Sequence, residues 1–188
     1  MVLLWQLDPE IQARILSSVS DLQAFQVEFE QETYSDYFDP THALGSLSVQ
    51  RPGKMRMEYT KGEHRLAITD GDTFHEYDFD AETLSTTSQA DIQDEPLVRI
   101  FLYGDAIEEH FLLDRYRDPD GVDVFRLRPR NPTTYTVEMT FDEHWRPSMI
   151  HVMGEGGDGT IFRFTNYQVN PKFSPTTFVF PSHLKTAE

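Results

Sequence analysis

The chain has 188 residues, the size of one domain with a sizeable core, for which burial of about 70% of the unfolded surface is expected. Its 16 Lys and Arg against 32 Asp and Glu leave a formal charge of −16, which disfavours nucleic acid and anionic membrane faces as partners. The absence of cysteine excludes disulfides, thiolate nucleophiles and cysteine-based zinc sites.

No apolar run approaches the ~20 residues that span a bilayer. The stretch from Met1 to Trp5 is too short for a signal-peptide core and lacks a basic start, so a cytosolic protein or a mature, processed form is expected. Asp8, Pro9 and Glu10 supply in turn a capping acceptor, a proline at the first helical position and an acid in the first turn. Ile11, Ile15, Leu16, Val19 and Leu22 follow at helical spacing and predict an amphipathic helix of about four turns. At Phe25, Val27 and Phe29 the apolar period switches to two, which starts the first strand.

A loop is expected from Tyr34 to Thr41. Alternation then resumes through Leu47 and Val49, turns at Arg51-Pro52-Gly53-Lys54, and returns through Met55, Met57 and Tyr59, the pattern of a hairpin. Turn signals recur about every ten residues: Lys61-Gly62-Glu63, Asp70-Gly71, Asp80-Ala81, Asp118 to Gly121, Asn131-Pro132, Asp142 to Pro147 and Gly154 to Gly159. Such spacing predicts a long antiparallel meander, sandwich or partial barrel within one domain over residues 1–188. One interruption stands out, where Pro96, Leu97, Ile100 and Phe101 precede Gly104 and predict a short central helix, with a further turn or two from Ala106 to His110.

Motifs that carry chemistry fail in context. Gly154 to Gly159 has the spacing of a dinucleotide-binding loop, but Ile161, Phe162, Phe164 and Tyr167 continue as a strand rather than a helix, and Glu155 and Asp158 would repel phosphate. The run from Asp118 to Asp123 resembles part of a calcium loop yet lacks the glutamate at the twelfth position and the flanking helices. The 7 histidines show no HExxH spacing, and neither a nucleophile elbow nor a Walker loop occurs. No catalytic residue, metal site or cofactor is therefore expected, and the acids are read as the wet face of a sheet.

What remains informative is the apolar face shared by Leu47, Val49, Met55, Met57 and Tyr59, and a second one formed by Tyr135, Val137, Met139 and Phe141. Either a packed core or an adaptable apolar cavity fits them. The segment from Gly45 through Arg51-Pro52 to Tyr59 resembles that of the outer-membrane lipoprotein carrier (LolA) family, in which a strand runs into Arg-Pro and an aromatic-rich strand returns. The N-terminal helix leading to Phe25, the turn at Asp70-Gly71, the central helix at Pro96 to Phe101 and the ending Phe178-Val179-Phe180-Pro181 agree in order.

The resemblance implies a mostly β protein with helices (α+β), whose curved antiparallel sheet forms an incomplete barrel closed by a helical lid over an apolar cavity. The cavity would be lined by Leu47, Val49, Met55, Met57, Tyr59, Ile100, Phe101, Tyr135, Val137 and Met139, with Arg51 latching the lid by bonding helix carbonyls. Met57, and with it Met55, stands where the family usually has aromatics, which changes cavity shape but keeps it apolar. The implied function is that of a monomeric periplasmic carrier. It would take acylated lipoproteins from an inner-membrane lipoprotein-releasing transporter to an outer-membrane acceptor protein or membrane. The charge of −16 separately predicts docking to a basic surface of a partner that weakens as salt rises. A lipoprotein sensor with the same fold, or a lipid hydrolase, are the alternative readings.

Overall fold

The computed structural model describes residues 9–130 and 135–184, so the Asp8 cap and the Asn131-Pro132 turn lie outside the described residues. Helix α1 (Pro9–Ser20) begins at the proline and carries Glu10 in its first turn, where Arg14 meets it at 2.9 Å. It is shorter than the spacing predicts, because the helix is rich in serine near its end. The Ser17 and Ser18 hydroxyls bond back to the carbonyls of Arg14 and Ile15, which weakens helix propagation. Leu22 is buried, but beyond the helix.

Six strands follow: β1 (Ala24–Ser35), β2 (Phe38–Gln50), β3 (Lys54–Lys61), β4 (Arg65–Asp70), β5 (Thr73–Asp78) and β6 (Thr83–Ser88). Helices α2 (Gln89–Ile92) and α3 (Pro96–Val98), a π-helical turn (Arg99–Tyr103) and α4 (Ile107–His110) lead to β7 (Phe111–Arg117). Strands β8 (Asp123–Pro129), β9 (Tyr135–Phe141), β10 (Pro147–Gly154) and β11 (Gly159–Val169) complete the chain order. The order in the sheet is β6-β5-β4-β3-β2-β1-β11-β10-β9-β8-β7. Every sequential pair of strands is neighbouring except β6 and β7, which are the edges on either side of the helical connection, so this antiparallel sheet of 11 strands is not closed.

The expected loop from Tyr34 to Thr41 is not one. Strand β1 runs to Ser35 and β2 starts at Phe38, with only Asp36 and Tyr37 in the turn. No glycine or proline marks this turn, and the pairing of long neighbouring strands overrides the polar local sequence.

The chain divides into two compact units, one with the residues up to Asp21, Glu30–His42 and Asp105–Phe164, the other with Leu22–Phe29, Ala43–Gly104 and the residues from Thr165. In the first, Ile15, Val19, Ile107, Phe111, Phe125, Leu127, Val137 and Met139 are buried. In the second, Leu66, Ile68 and Tyr77 of β4 and β5 pack with Phe180, and Leu84 and Leu184 border this cluster. The segment after β11 thus lies along one face of these strands, with the Phe180 ring 4.6 Å from that of His75 and 6.5 Å from that of Tyr77.

Candidate functional site

Arg51 stands in the turn between β2 and β3, where Pro52 and Gly53 end the ladder. Its backbone N–H donates to the Gln23 carbonyl at 2.9 Å, which leaves the side chain to reach the π-helical turn. Nη2 donates to the Ile100 carbonyl at 2.8 Å and Nε to the Phe101 carbonyl at 3.2 Å, while the Gly53 N–H donates to the Leu102 carbonyl at 2.7 Å. These are carbonyls that a helix end leaves without internal partners. The helix stops because Gly104 is left-handed, with φ of 84°. A Cβ at Gly104 would lie 3.1 Å from Nη1 and 3.2 Å from Cδ of Arg51, so the glycine also provides the floor on which the arginine rests.

The register of β2 with β3 sets Leu47 opposite Met57, Val49 opposite Met55 and Gly45 opposite Tyr59, all on one face. Val49 and Tyr59 are buried, whereas Leu47, Met55 and Met57 remain partly exposed. Gly45 is required here, since any Cβ would collide with the Glu58 carbonyl and the Phe29 ring, and Phe29 uses that space to meet Tyr59 edge to face at 5.2 Å. Ile100 is buried and Phe101 is partly exposed on the π-helical turn. Burial pushes the Tyr59 phenol up, against the pull of Arg65, which donates to its oxygen at 3.1 Å and lies over its ring.

Two buried donors on this half of the molecule have no partner among the described residues: Arg65 Nε and Gln89 Nε2. Gln89 is 2% exposed and its Oε1 accepts from Thr69, which is paired with Met55 across β3 and β4. No sequence pattern announces these donors, since they depend on the register of β4.

In the other unit, Tyr135 is partly exposed, and Val137 and Met139 are wholly buried, Val137 opposite Leu127 and Val152 and Met139 opposite Phe125 and Ile150. The reverse face of these strands carries a polar ladder. Arg126 donates twice to Glu138 Oε1, at 2.9 and 2.7 Å, and His151, opposite Glu138, meets the Tyr34 hydroxyl at 2.7 Å. Burial lowers the His151 pKa, with Glu138 pulling it up. The ligand atoms of Asp105, Glu109 and His110 lie within 4.8 Å of one another, and His110 Nε2 is 2.8 Å from Asp105 Oδ2, within hydrogen-bond distance. No helix of the described residues is long and apolar enough to cross a membrane.

Over residues 20–181 the chain matches the family described as outer membrane lipoprotein carrier protein LolA. The outer-membrane lipoprotein carrier protein of Chromohalobacter salexigens is 23% identical over 171 residues, which cover 89% of this chain and 80% of the relative. That of Chromobacterium violaceum is 25% identical over 170 residues, covering 89% and 82%. Among solved structures, an uncharacterized conserved protein from Thermus thermophilus superposes with a TM-score of 0.55 at 14% identity, covering 95% of this chain and 97% of the other. A LolA superfamily protein from Nitrosomonas europaea does so with a TM-score of 0.50 at 10% identity, covering 89% and 97%. The structural likenesses speak for the fold, and the family match, which takes in most of the residues from α1 to the Phe180 segment, shows that the chain belongs to the LolA family of outer-membrane lipoprotein carriers.

Proposed function

We propose that the protein is a periplasmic lipoprotein carrier. It holds the acyl chains of lipoproteins against the face of Leu47, Val49, Met55, Met57 and Tyr59 under the helical segment of Ile100 and Phe101, and passes them from the inner-membrane releasing transporter to an outer-membrane acceptor. The observation that carries this reading is the Arg51 guanidinium on the carbonyls of Ile100 and Phe101, at the end of a hairpin whose apolar side chains are only partly buried.

The energetics suit a carrier. Each methylene kept from water is worth about 0.8 kcal/mol, so an acylated protein leaves a membrane slowly unless its chains are covered. An empty apolar face invites association and needs a cover of its own. A hydrogen bond from a charged donor contributes about 1.5–3 kcal/mol, small beside the burial of an acyl chain, so cargo can displace the Arg51 latch. Leu47, Met55 and Met57 are flexible or unbranched enough to repack around chains of different length.

The test is transfer. The protein and its Arg51→Leu variant are loaded with an acylated lipoprotein and mixed with acceptor membranes. The variant is expected to fold and to keep its cargo, but to release it about tenfold more slowly, because the closed empty state has lost about 1.5 kcal/mol or more of latch. Transfer at the wild-type rate would remove the latch from the mechanism. A stable complex with a second protein and no exchange of cargo would replace the carrier with a sensor, and turnover of acyl esters would replace it with a hydrolase.

A further inference from the structure

The turn between β1 and β2 and the turn between β10 and β11 lie side by side. The Asp36 carboxylate abuts Gly157, where a Cβ would come within 2.5 Å of it, and the Asp158 carboxylate folds over Gly154, where a Cβ would come within 2.7 Å. A cavity of about 570 Å³ opens there, walled by the aromatic side chains of Tyr34, Phe38 and Tyr135 and edged by Glu155 and Asp158. No basic side chain lines it among the described residues. Asp36, Asp39, Glu155 and Asp158 form no ion pair among the described residues, while the neighbouring Arg163 is already engaged by Glu32 at 3.4 Å.

The imidazole beside the cavity supplies no countercharge. His151 is held towards its neutral form by burial and bonds the Tyr34 hydroxyl. The Tyr34 phenol is itself pushed up, by burial and then by the negative charges of Asp158, Glu138 and Glu32, which shows the sign of the field there. At the rim, Tyr37 of the turn is 83% exposed and Phe38, the first residue of β2, 77%, the two most exposed large hydrophobic residues among the described residues. An aromatic rim over an uncompensated acidic wall is an incomplete surface.

We infer that this cavity is a recognition site for a cationic side chain, arginine or lysine, set beside apolar residues on a partner protein. Guanidinium groups take carboxylates and aromatic faces together, and a cavity of this size admits such a side chain with its neighbours. The formal charge of −16 would steer a basic partner to the surface, and Tyr37 and Phe38 would then be covered. The inference does not rest on the carrier reading, since nothing in it requires acyl cargo.

The experiment is NMR titration of the full chain with a nine-residue peptide alternating arginine and leucine, against a control peptide with glutamine for arginine. Expected are saturable shifts of amides in residues 33–38 and 152–160, weakening as salt rises from about 50 to about 300 mM. A Glu155→Gln, Asp158→Asn double variant should bind about three- to tenfold more weakly, and Phe38→Ser should weaken binding while leaving the salt dependence. Equal binding of the glutamine peptide, shifts that map elsewhere, or affinity unchanged in the double variant with its native spectrum intact would overturn the proposal. Binding to phosphatidylethanolamine vesicles but not to the arginine peptide would overturn it too, in favour of a membrane.

Discussion

At the residue scale, Arg51 and Gly104 act as one device. The glycine ends the π-helical turn in a backbone conformation that L-residues rarely adopt, and it leaves no Cβ between the helix end and the guanidinium. Gly104→Ala is therefore expected to cost about 1–2 kcal/mol of stability and to push Arg51 off the Ile100 and Phe101 carbonyls. If the pair is coupled, the double variant with Arg51→Leu should transfer cargo no more slowly than Arg51→Leu alone, which a double-mutant cycle reads directly. Additive losses would separate the two residues. Arg51 is within reach of the sequence only through the family resemblance, for by local pattern it is an ordinary turn residue; Pro52, which ends a ladder, and Gly104, which leaves helix carbonyls free, make its reach physically intelligible. Gln89 Nε2 and the chain from Arg126 through Glu138 and His151 to Tyr34 are not within reach of the sequence, because each depends on which residues of different strands face one another.

At the scale of elements, turns marked by glycine, proline or a local aspartate, such as Asp80-Ala81 between β5 and β6, are legible in the sequence, and the tight turn at Asp36 and Tyr37 is not. The hairpin at Arg51 to Lys54, the turn at Asp118 to Gly121 and the turn at Gly154 to Gly159 all join strands, as their composition predicts. The turn at Asp36 and Tyr37 has no glycine or proline, and its polar surroundings predict a longer loop than the chain forms. The C-terminal segment is misleading in another way: Phe178 and Phe180 are spaced as on a strand, yet both are buried outside the sheet ladder. The Phe180 segment covers β4 and β5, whose Leu66, Ile68 and Tyr77 would otherwise face water. Phe180→Ala should remove about 3–5 kcal/mol of stability by loss of burial and an unfilled cavity, seen as a lower urea midpoint with an unchanged slope. A loss under about 1 kcal/mol would mean that the segment is loosely held.

At the scale of the whole molecule, charge sets two opposing trends with pH. The formal charge of −16 repels itself at neutral pH and vanishes near the pI of about 4.7, so acidification first relieves strain on the compact state. Against this stand carboxylates held low despite the upward pull of burial: Asp123 by Arg115 and Arg117, Asp142 by Arg146 and the His144 amide, and Asp70 by the amides of Asp72 and Thr73. Their contribution is complete above the unfolded value of about 4 and is lost as pH falls through their folded values. His151, lowered by burial, acts in the same sense, since its neutral form stabilises the fold fully above about 6.5 and less as the unfolded chain protonates first.

The melting temperature at low salt should therefore be highest between about pH 5 and 6.5 and fall steeply below about 4. At pH 7.5, raising salt from about 20 to about 300 mM should raise it, because screening weakens long-range repulsion more than close, partly buried pairs such as Arg126 with Glu138. The same addition near pH 4.7 should do little. Calorimetry at the two pH values decides the matter, for a melting temperature that falls with salt at pH 7.5 would mean that ion pairs across the strands, rather than the net charge, govern the stability of the molecule.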